Sequence, residues 1–418
     1  MIPWRLIWVD WRRLWPGVLV VVLLIAVATA LSISVGLQER ALRMGSAKAA
    51  DRFDLVVGAP GSETQLVLSS VFLQPSALTL IPVSILDDLT KNPLVAWAAP
   101  VAFGDFYQGM PIVGTTPLLV TDNGKRPLAA GRVFNEGFEA VVGAQTGLTP
   151  GDTFSPIHGQ VGAEGVHAHD AVTYTVVGVL PPDGSAWDKA ILAPMDAVWR
   201  VHGIQPPDDA HETDTAQHSE TDEQHDVQPA GADGQGGARQ AGVPAIVVKP
   251  KSIAGAYQLR SLYRNSTTQA VFPGEVLVKL YGILGDIREL LAYITLGTQG
   301  LVGVAVAMVA VIHLRQRQKQ IGALRAFGAP RYGVFALIWC GLMSLVSIGV
   351  MLGVAIGYAA ARVIAVIMSE KSGFVLPVTL EQEDVTFVLI LLLVAAAVLT
   401  IPAMLSYRQS PAAALRGE

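Results

Sequence analysis

The chain is predicted to be a membrane protein with four transmembrane α-helices, arranged one and then three, and a large α+β extracytoplasmic domain inserted between helices 1 and 2. Three observations predict it. Of its 418 residues, 51% are hydrophobic and only 15% charged, and mean hydropathy is +0.46, too apolar for an ordinary water-soluble enzyme. Four long runs are nearly free of charge. The net charge of −5 is unevenly spread: short segments beside the apolar runs are basic, and the long segment after the first run is acidic. That distribution excludes a nucleic-acid partner. A single cysteine, Cys340, rules out an intrachain disulfide.

Residues 1 to 15 mix tryptophan with arginine (Trp4, Arg5, Trp8, Trp11, Arg12, Arg13, Trp15), as interfacial segments at cytoplasmic headgroups do. Pro16 to Leu37 carries no charge and is long enough to cross a hydrocarbon core of roughly 30 Å. A signal peptide is the rival reading, because Ala28-Thr29-Ala30 resembles a cleavage site, but the run outlasts the usual h-region of roughly 7–15 residues. Residues 1–37 are therefore assigned to the interfacial segment and first span.

Residues 38–280 form the extracytoplasmic domain. Gln38 to Arg52 is helix-prone and prolongs the first span outward. Short β-branched runs bounded by Gly or Pro follow: Phe53–Gly58, Pro111–Gly114, Ala140–Gly143, Tyr174–Leu180 and Ala245–Val248. Helical patterns lie at Val83–Leu89, Met195–His202 and Ile253–Tyr263. Trp97, Trp187 and Trp199 are expected in the core. Within the domain, 205–242 holds nine acids and one arginine and almost no large apolar residue, the composition of a disordered insertion.

Residues 281–418 hold the second span (290–312), a basic loop, the third span (332–361) and the fourth (385–406). Both termini and the basic loop fall on the cytoplasmic side by charge. His313 to Arg331 carries six basic side chains, His313 included, and no acid, and its middle spaces Ile321 and Leu324 along one face before Gly328 and Pro330 close it. This reads as a short amphipathic helix lying flat at the membrane. In the third span, Gly349, Gly353 and Gly357 form a tandem small-residue ridge suited to close helix packing.

No G-x-x-x-x-G-K-[ST], H-E-x-x-H or G-x-S-x-G occurs, so phosphate-loop, zincin and serine-hydrolase chemistry have no signature in this chain. The histidines are the remaining candidates for chemistry. His158, His167, His169 and His202 fall in or beside the folded domain and are candidate zinc ligands, with solvated polar loops as the alternative. His211, His218 and His225 recur through the acidic insertion.

The basic segment, Gln320-Ile321-Gly322-Ala323-Leu324-Arg325-Ala326-Phe327-Gly328-Ala329 within it, and Ser410-Pro411-Ala412-Ala413-Ala414-Leu415-Arg416 at the end resemble the FtsX/MacB/LolC-type ABC transporter permease family. The resemblance is specific over about 281–418. It implies a permease, homodimeric or paired with a paralogous permease, bound to two copies of a separate ABC ATPase that holds ATP and magnesium. The chain itself would then need no cofactor and be no enzyme. Its setting would be a bacterial inner membrane, with the large domain periplasmic. By resemblance Gln320 to Ala329 is the coupling helix, through which ATP hydrolysis drives periplasmic movements (mechanotransmission) that export or extract a lipoprotein, peptide or small molecule. The family frequently has an acid where this chain has Gln320. An FtsX-like regulator or scaffold activating a periplasmic cell-wall enzyme is the alternative, the client protein being the difference.

Overall fold

The computed structural model describes residues 4–135, 137–158, 167–168, 172–202, 204, 242–316, 328 and 330–405. Residues 205–241 of the acidic insertion, with His211, His218 and His225, lie outside them, as do His169 and nearly all of the basic loop, whereas Gly242, expected in the disordered insertion, is a buried strand residue. The chain divides into two compact units. One comprises Met1–Gly45, Tyr281–Ser369 and Leu376–Glu418; the other comprises Ser46–Leu280 and Glu370–Val375.

In chain order the elements are α1 (Trp4–Arg13), α2 (Trp15–Ala50), β1 (Leu55–Gly58), α3 (Glu63–Ser70), β2 (Ile81–Pro82), α4 (Ser84–Lys91), β3 (Val95–Tyr107), β4 (Met110–Thr115), α5 (Pro117–Thr121), β5 (Ala130–Gly131) and β6 (Glu139–Val142). They continue with β7 (Thr153–Phe154), β8 (Ile157–His158), β9 (His167–Ala168), β10 (Tyr174–Val179), a 3₁₀ turn (Ala186–Lys189), β11 (Ile191–Pro194), α6 (Met195–Val201), β12 (Gly242–Val243), β13 (Ala245–Pro250), α7 (Ile253–Leu262) and β14 (Gln269–Val271). Three long helices close the chain: α8 (Pro273–Gln316), α9 (Arg331–Ser372) and α10 (Gln382–Leu405).

The helical unit is built from α1, most of α2, and α8 to α10. Among the described residues, three helices are long and apolar enough to cross a membrane, Trp15–Ala50, Tyr332–Ser372 and Gln382–Ile401, and α8 contains a shorter apolar stretch, Ala292–Met308. Many of their large side chains, among them Leu31, Leu301, Val366 and Leu393, are exposed in the single chain. Lipid is the medium that satisfies such a surface. The interior is small: Val21 and Ile25 of α2, Val306 of α8, Val346 and Val350 of α9 and Leu399 of α10 share one buried cluster.

The second unit is organised around β3. Its sheet runs β14-β1-β13-β3-β4-β11-β6-β10-β5. Val95–Val101 pairs with β13 and Ala102–Tyr107 with β4, and the register shifts between Phe103 and Asp105. The first half backs onto a core that includes Leu55, Leu89, Trp199, Ile246 and Leu259. The second backs onto another around Ile112, Val142, Phe154, Tyr174 and Ile191. Parallel pairs, β4 with β11 and β6 with β10, mix with antiparallel ones. Serine caps start two of the helices: Ser62 Oγ accepts from the amide of Gln65 at α3, and Ser252 Oγ from that of Gly255 at α7. Trp97, Trp187 and Trp199 are all buried.

Two features differ from the sequence reading. β3 was not among the predicted strands, because Ala-rich Val95-Ala96-Trp97-Ala98-Ala99-Pro100 lacks the β-branched pattern; Pro100 sits where β3 has its β13 partner, and a proline there needs a free side for its missing donor. Glu370, Lys371, Glu383 and Asp384, which fall between the predicted third span (332–361) and fourth span (385–406), lie in the ends of α9 and α10. The loop is shorter because both helices run past their apolar stretches, as α2 and α8 also do.

Candidate functional site

The helical unit joins its members by two different devices, and both involve α2. The first is the glycine ridge of α9. A Cβ built on Gly349 would lie 2.9 Å from Cβ of Ile25, one on Gly353 2.6 Å from Cβ of Thr29 and 2.7 Å from the carbonyl oxygen of Ala26, and one on Gly357 2.7 Å from the carbonyl oxygen of Ala30. At such distances only hydrogen fits, so the two backbones approach as closely as helices do at small-residue interfaces. Contacts between close backbones, multiplied along two turns, supply the dispersion that lipid cannot supply by hydrophobic exclusion.

The second device is polar. Arg40 on α2 makes a bidentate pair with Asp384 on α10, Nη1 to Oδ2 at 2.9 Å and Nη2 to Oδ1 at 3.0 Å. Both side chains are buried, and Glu381 and Glu383 lie 4.0 and 3.8 Å from the same guanidinium. Asp384 also accepts from the backbone amide of Glu381 at 2.8 Å, which caps the first turn of α10. One carboxylate thus starts a helix and anchors it to another. Gln38 Nε2 donates to the carbonyl of Ala361, Gln299 Nε2 to the hydroxyl of Ser32, and Trp339 Nε1 to the carbonyl of Ala396. These bonds tie α2 to α9 and α8, and α9 to α10.

Neither Arg40 nor Asp384 was singled out from the sequence. The available signal was an arginine in an otherwise helix-prone polar stretch and the acidic trio Glu381, Glu383 and Asp384 at the start of an apolar run. Of the predicted coupling segment, Gln320, Ile321, Gly322, Ala323, Leu324, Arg325, Phe327 and Ala329 lie outside the described residues. Gly328 is an exposed turn residue with φ of +91°, a left-handed conformation that glycine adopts freely, and α9 begins at Arg331.

The helices around this core carry a sequence signature: residues 294–412 match the FtsX-like permease C-terminal family. The C-terminal part of the chain is similar to that family. No curated protein is significantly similar to it in sequence. Among solved structures, the chain is similar to the periplasmic region of MacB from Actinobacillus actinomycetemcomitans, at 11% identity and a TM-score of 0.33, covering 56% of this chain and 95% of that one. It is also similar to the extracellular domain of the noncanonic ABC-type transporter YknZ from Gram-positive bacteria, at 11% identity and a TM-score of 0.29, covering 52% and 98%. Scores this low leave the second unit to be described from its own residues.

The histidines of that unit are placed as follows. His158 on β8 is the register partner of both Asp105 on β3 and His167 on β9. His202, at the end of α6, has Nε2 3.4 Å from Oδ1 of Asp105 and Nδ1 2.8 Å from the carbonyl oxygen of Val198. Asp105 is buried, and its carboxylate raises the His202 imidazole above its ordinary pKa, burial opposing. An imidazole with both nitrogens so engaged acts as a charged donor rather than a metal ligand. Among the described residues no group of three or more His, Cys, Asp or Glu side chains is arranged to hold a metal ion.

Proposed function

We propose that this permease is the membrane-spanning subunit of an ABC-type system in a bacterial inner membrane, and that it relays work from a separate cytoplasmic ATPase to its large unit on the periplasmic side. What carries the reading is the continuity of α2. Its inner half is locked to the family's C-terminal helices by the ridge at Gly349, Gly353 and Gly357, and the same helix runs without a break to Ala50, roughly 54 Å at 1.5 Å per residue. A displacement of α9 relative to the bilayer has to carry α2 with it, because backbones packed without side chains between them cannot slide independently.

In this reading the basic segment from Gln320 to Ala329 receives the ATPase, two permeases and two ATPases make the working assembly, and the client is a lipoprotein, peptide or small molecule handled in the periplasm. Zinc at the histidines of the second unit would be an accessory to this cycle, and the ligand set left for it is His158, His167 and His169.

Purification from native membranes followed by mass spectrometry is expected to recover a nucleotide-binding subunit. With that pair in nanodiscs, Leu324→Asp and Gly328→Pro are expected to stay in the membrane but to lose the permease's effect on ATPase turnover. Full coupling in both variants, or a purified chain that hydrolyses ATP unaided, overturns the proposal.

A further inference from the structure

The second unit contains a cleft of about 330 Å³ lined by Lys48, Arg52, Lys125 and Arg126, with Asp51, Asp122 and Asp183 among them and Trp97 and Leu119 as apolar wall. Four cations face three acids in a region whose overall balance is acidic. Two of the acids are already committed. Asp122 Oδ1 accepts from the indole Nε1 of Trp97 at 3.1 Å. Asp183 Oδ1 accepts from the amide and the hydroxyl of Ser185. That leaves Oδ2 of Asp183 for two guanidiniums at once, Nη1 of Arg52 and Nη2 of Arg126, each at 3.1 Å.

The arginines are positioned without a ligand. Arg52 lies over the rings of Phe53 and Trp187, 5.2 and 5.6 Å from their centroids, and Nη2 reaches the carbonyl of Leu119. Arg126 Nη2 donates to the carbonyl of Pro181 at 2.8 Å, while its Nη1 is shielded from solvent and has no hydrogen-bond acceptor. A buried charged donor without an acceptor is unfavourable, and a planar guanidinium fork held rigidly matches the oxygens of a phosphate or carboxylate.

We propose that this cleft is an oxyanion-binding site that takes a phosphate group, free or on a lipid headgroup, with Arg126 and Arg52 as its forks and Lys48 and Lys125 at its exposed mouth. The volume suits a small headgroup or a phosphorylated small molecule. Burial, and then the nearby Arg126, push Arg52 down to about 10. Burial acts to raise the Asp183 carboxyl, yet Ser185 and the two guanidiniums outweigh it and hold it below the usual range. The proposal stands apart from the permease reading and does not depend on it.

The test uses the full chain in phosphatidylcholine nanodiscs titrated with inorganic phosphate and with glycerol 3-phosphate at constant ionic strength, following tryptophan fluorescence, with Trp97→Phe to assign the signal. A saturable response that chloride does not reproduce is expected, weakened about ten-fold in Arg126→Gln and about three-fold in Lys125→Gln. Lys125 is exposed, so its variant keeps the fold if Arg126→Gln loses it. A response to soluble phosphate in phosphatidylcholine assigns a free ligand. A cleft already occupied in phosphatidylglycerol nanodiscs without added phosphate, and emptied by the same substitutions, assigns the headgroup. No saturable response in phosphatidylcholine together with an unoccupied cleft in phosphatidylglycerol, or a response unchanged in both variants, overturns the proposal.

Discussion

Arg40 and Arg52 stand twelve residues apart, one on α2 and the other just beyond it, and they meet opposite electrostatic fates. Arg40 has a carboxylate to itself, gripped through both nitrogens, and two further acids within 4.0 Å. Arg52 shares a single carboxylate oxygen with Arg126. The first arrangement is saturated and has nothing left to offer a ligand, so it acts as a clamp. The second is short of acceptors, and its surplus of positive charge faces a cleft. The same side chain is therefore structural where the partners outnumber it and available for binding where they do not.

The clamp gives the largest expected effect. Arg40→Ala leaves Asp384 buried without its partner, a loss of about 3–5 kcal/mol, and Asp384→Asn costs somewhat less because Glu381 and Glu383 stay within 4.0 Å of the guanidinium. Thermal unfolding of the purified protein should fall steeply in either single variant and recover most of the loss when Arg40→Met and Asp384→Leu are combined. A double variant no better than the singles would mean that the pair does more than neutralise itself. Arg52→Gln, in contrast, should cost less, because it removes one of two competitors for Asp183.

Next in size is the glycine ridge. Gly353→Leu places a side chain where Thr29 and Ala26 stand 2.6 and 2.7 Å from the first carbon, and should destabilise the helical unit by about 1–3 kcal/mol or force α2 and α9 apart. Gly303→Ala, in open space on α8, is the control and should be neutral or slightly stabilising. Equal effects at the two positions would remove close packing as the reason for the ridge.

The smallest effect is on pH. His202 has its folded pKa raised by Asp105, so the stability it contributes is fully present below its unfolded value near 6.5 and is lost as pH rises through the folded value. The His202→Gln protein should therefore lose less stability between pH 6 and pH 8 than the parent, by less than about 1 kcal/mol for a half-buried imidazole. Urea unfolding of both proteins at the two pH values measures it; identical pH dependence would assign the pair no net role.

Local pattern was enough for much of the architecture. Uncharged runs marked the apolar stretches of α2, α9 and α10, because length and hydropathy are properties of a continuous segment. β-branched runs marked β1, β4, β6, β10 and β13, and the small-residue spacing at Gly349, Gly353 and Gly357 singled out one face of a helix. What that face meets is a different matter: residues 22 to 33 of α2 lie more than 300 positions away in the chain. Arg40 and Asp384 are likewise 344 positions apart, and Arg52 and Arg126 reach Asp183 across 131 and 57 (183 − 126) positions. A charge in a sequence has a sign and a neighbourhood of a few residues, but its energy depends on which distant groups share its burial. So the alternation of apolar and polar segments determined what kind of molecule this is, and only the packing of remote segments decided which arginine became a clamp and which was left facing a cleft.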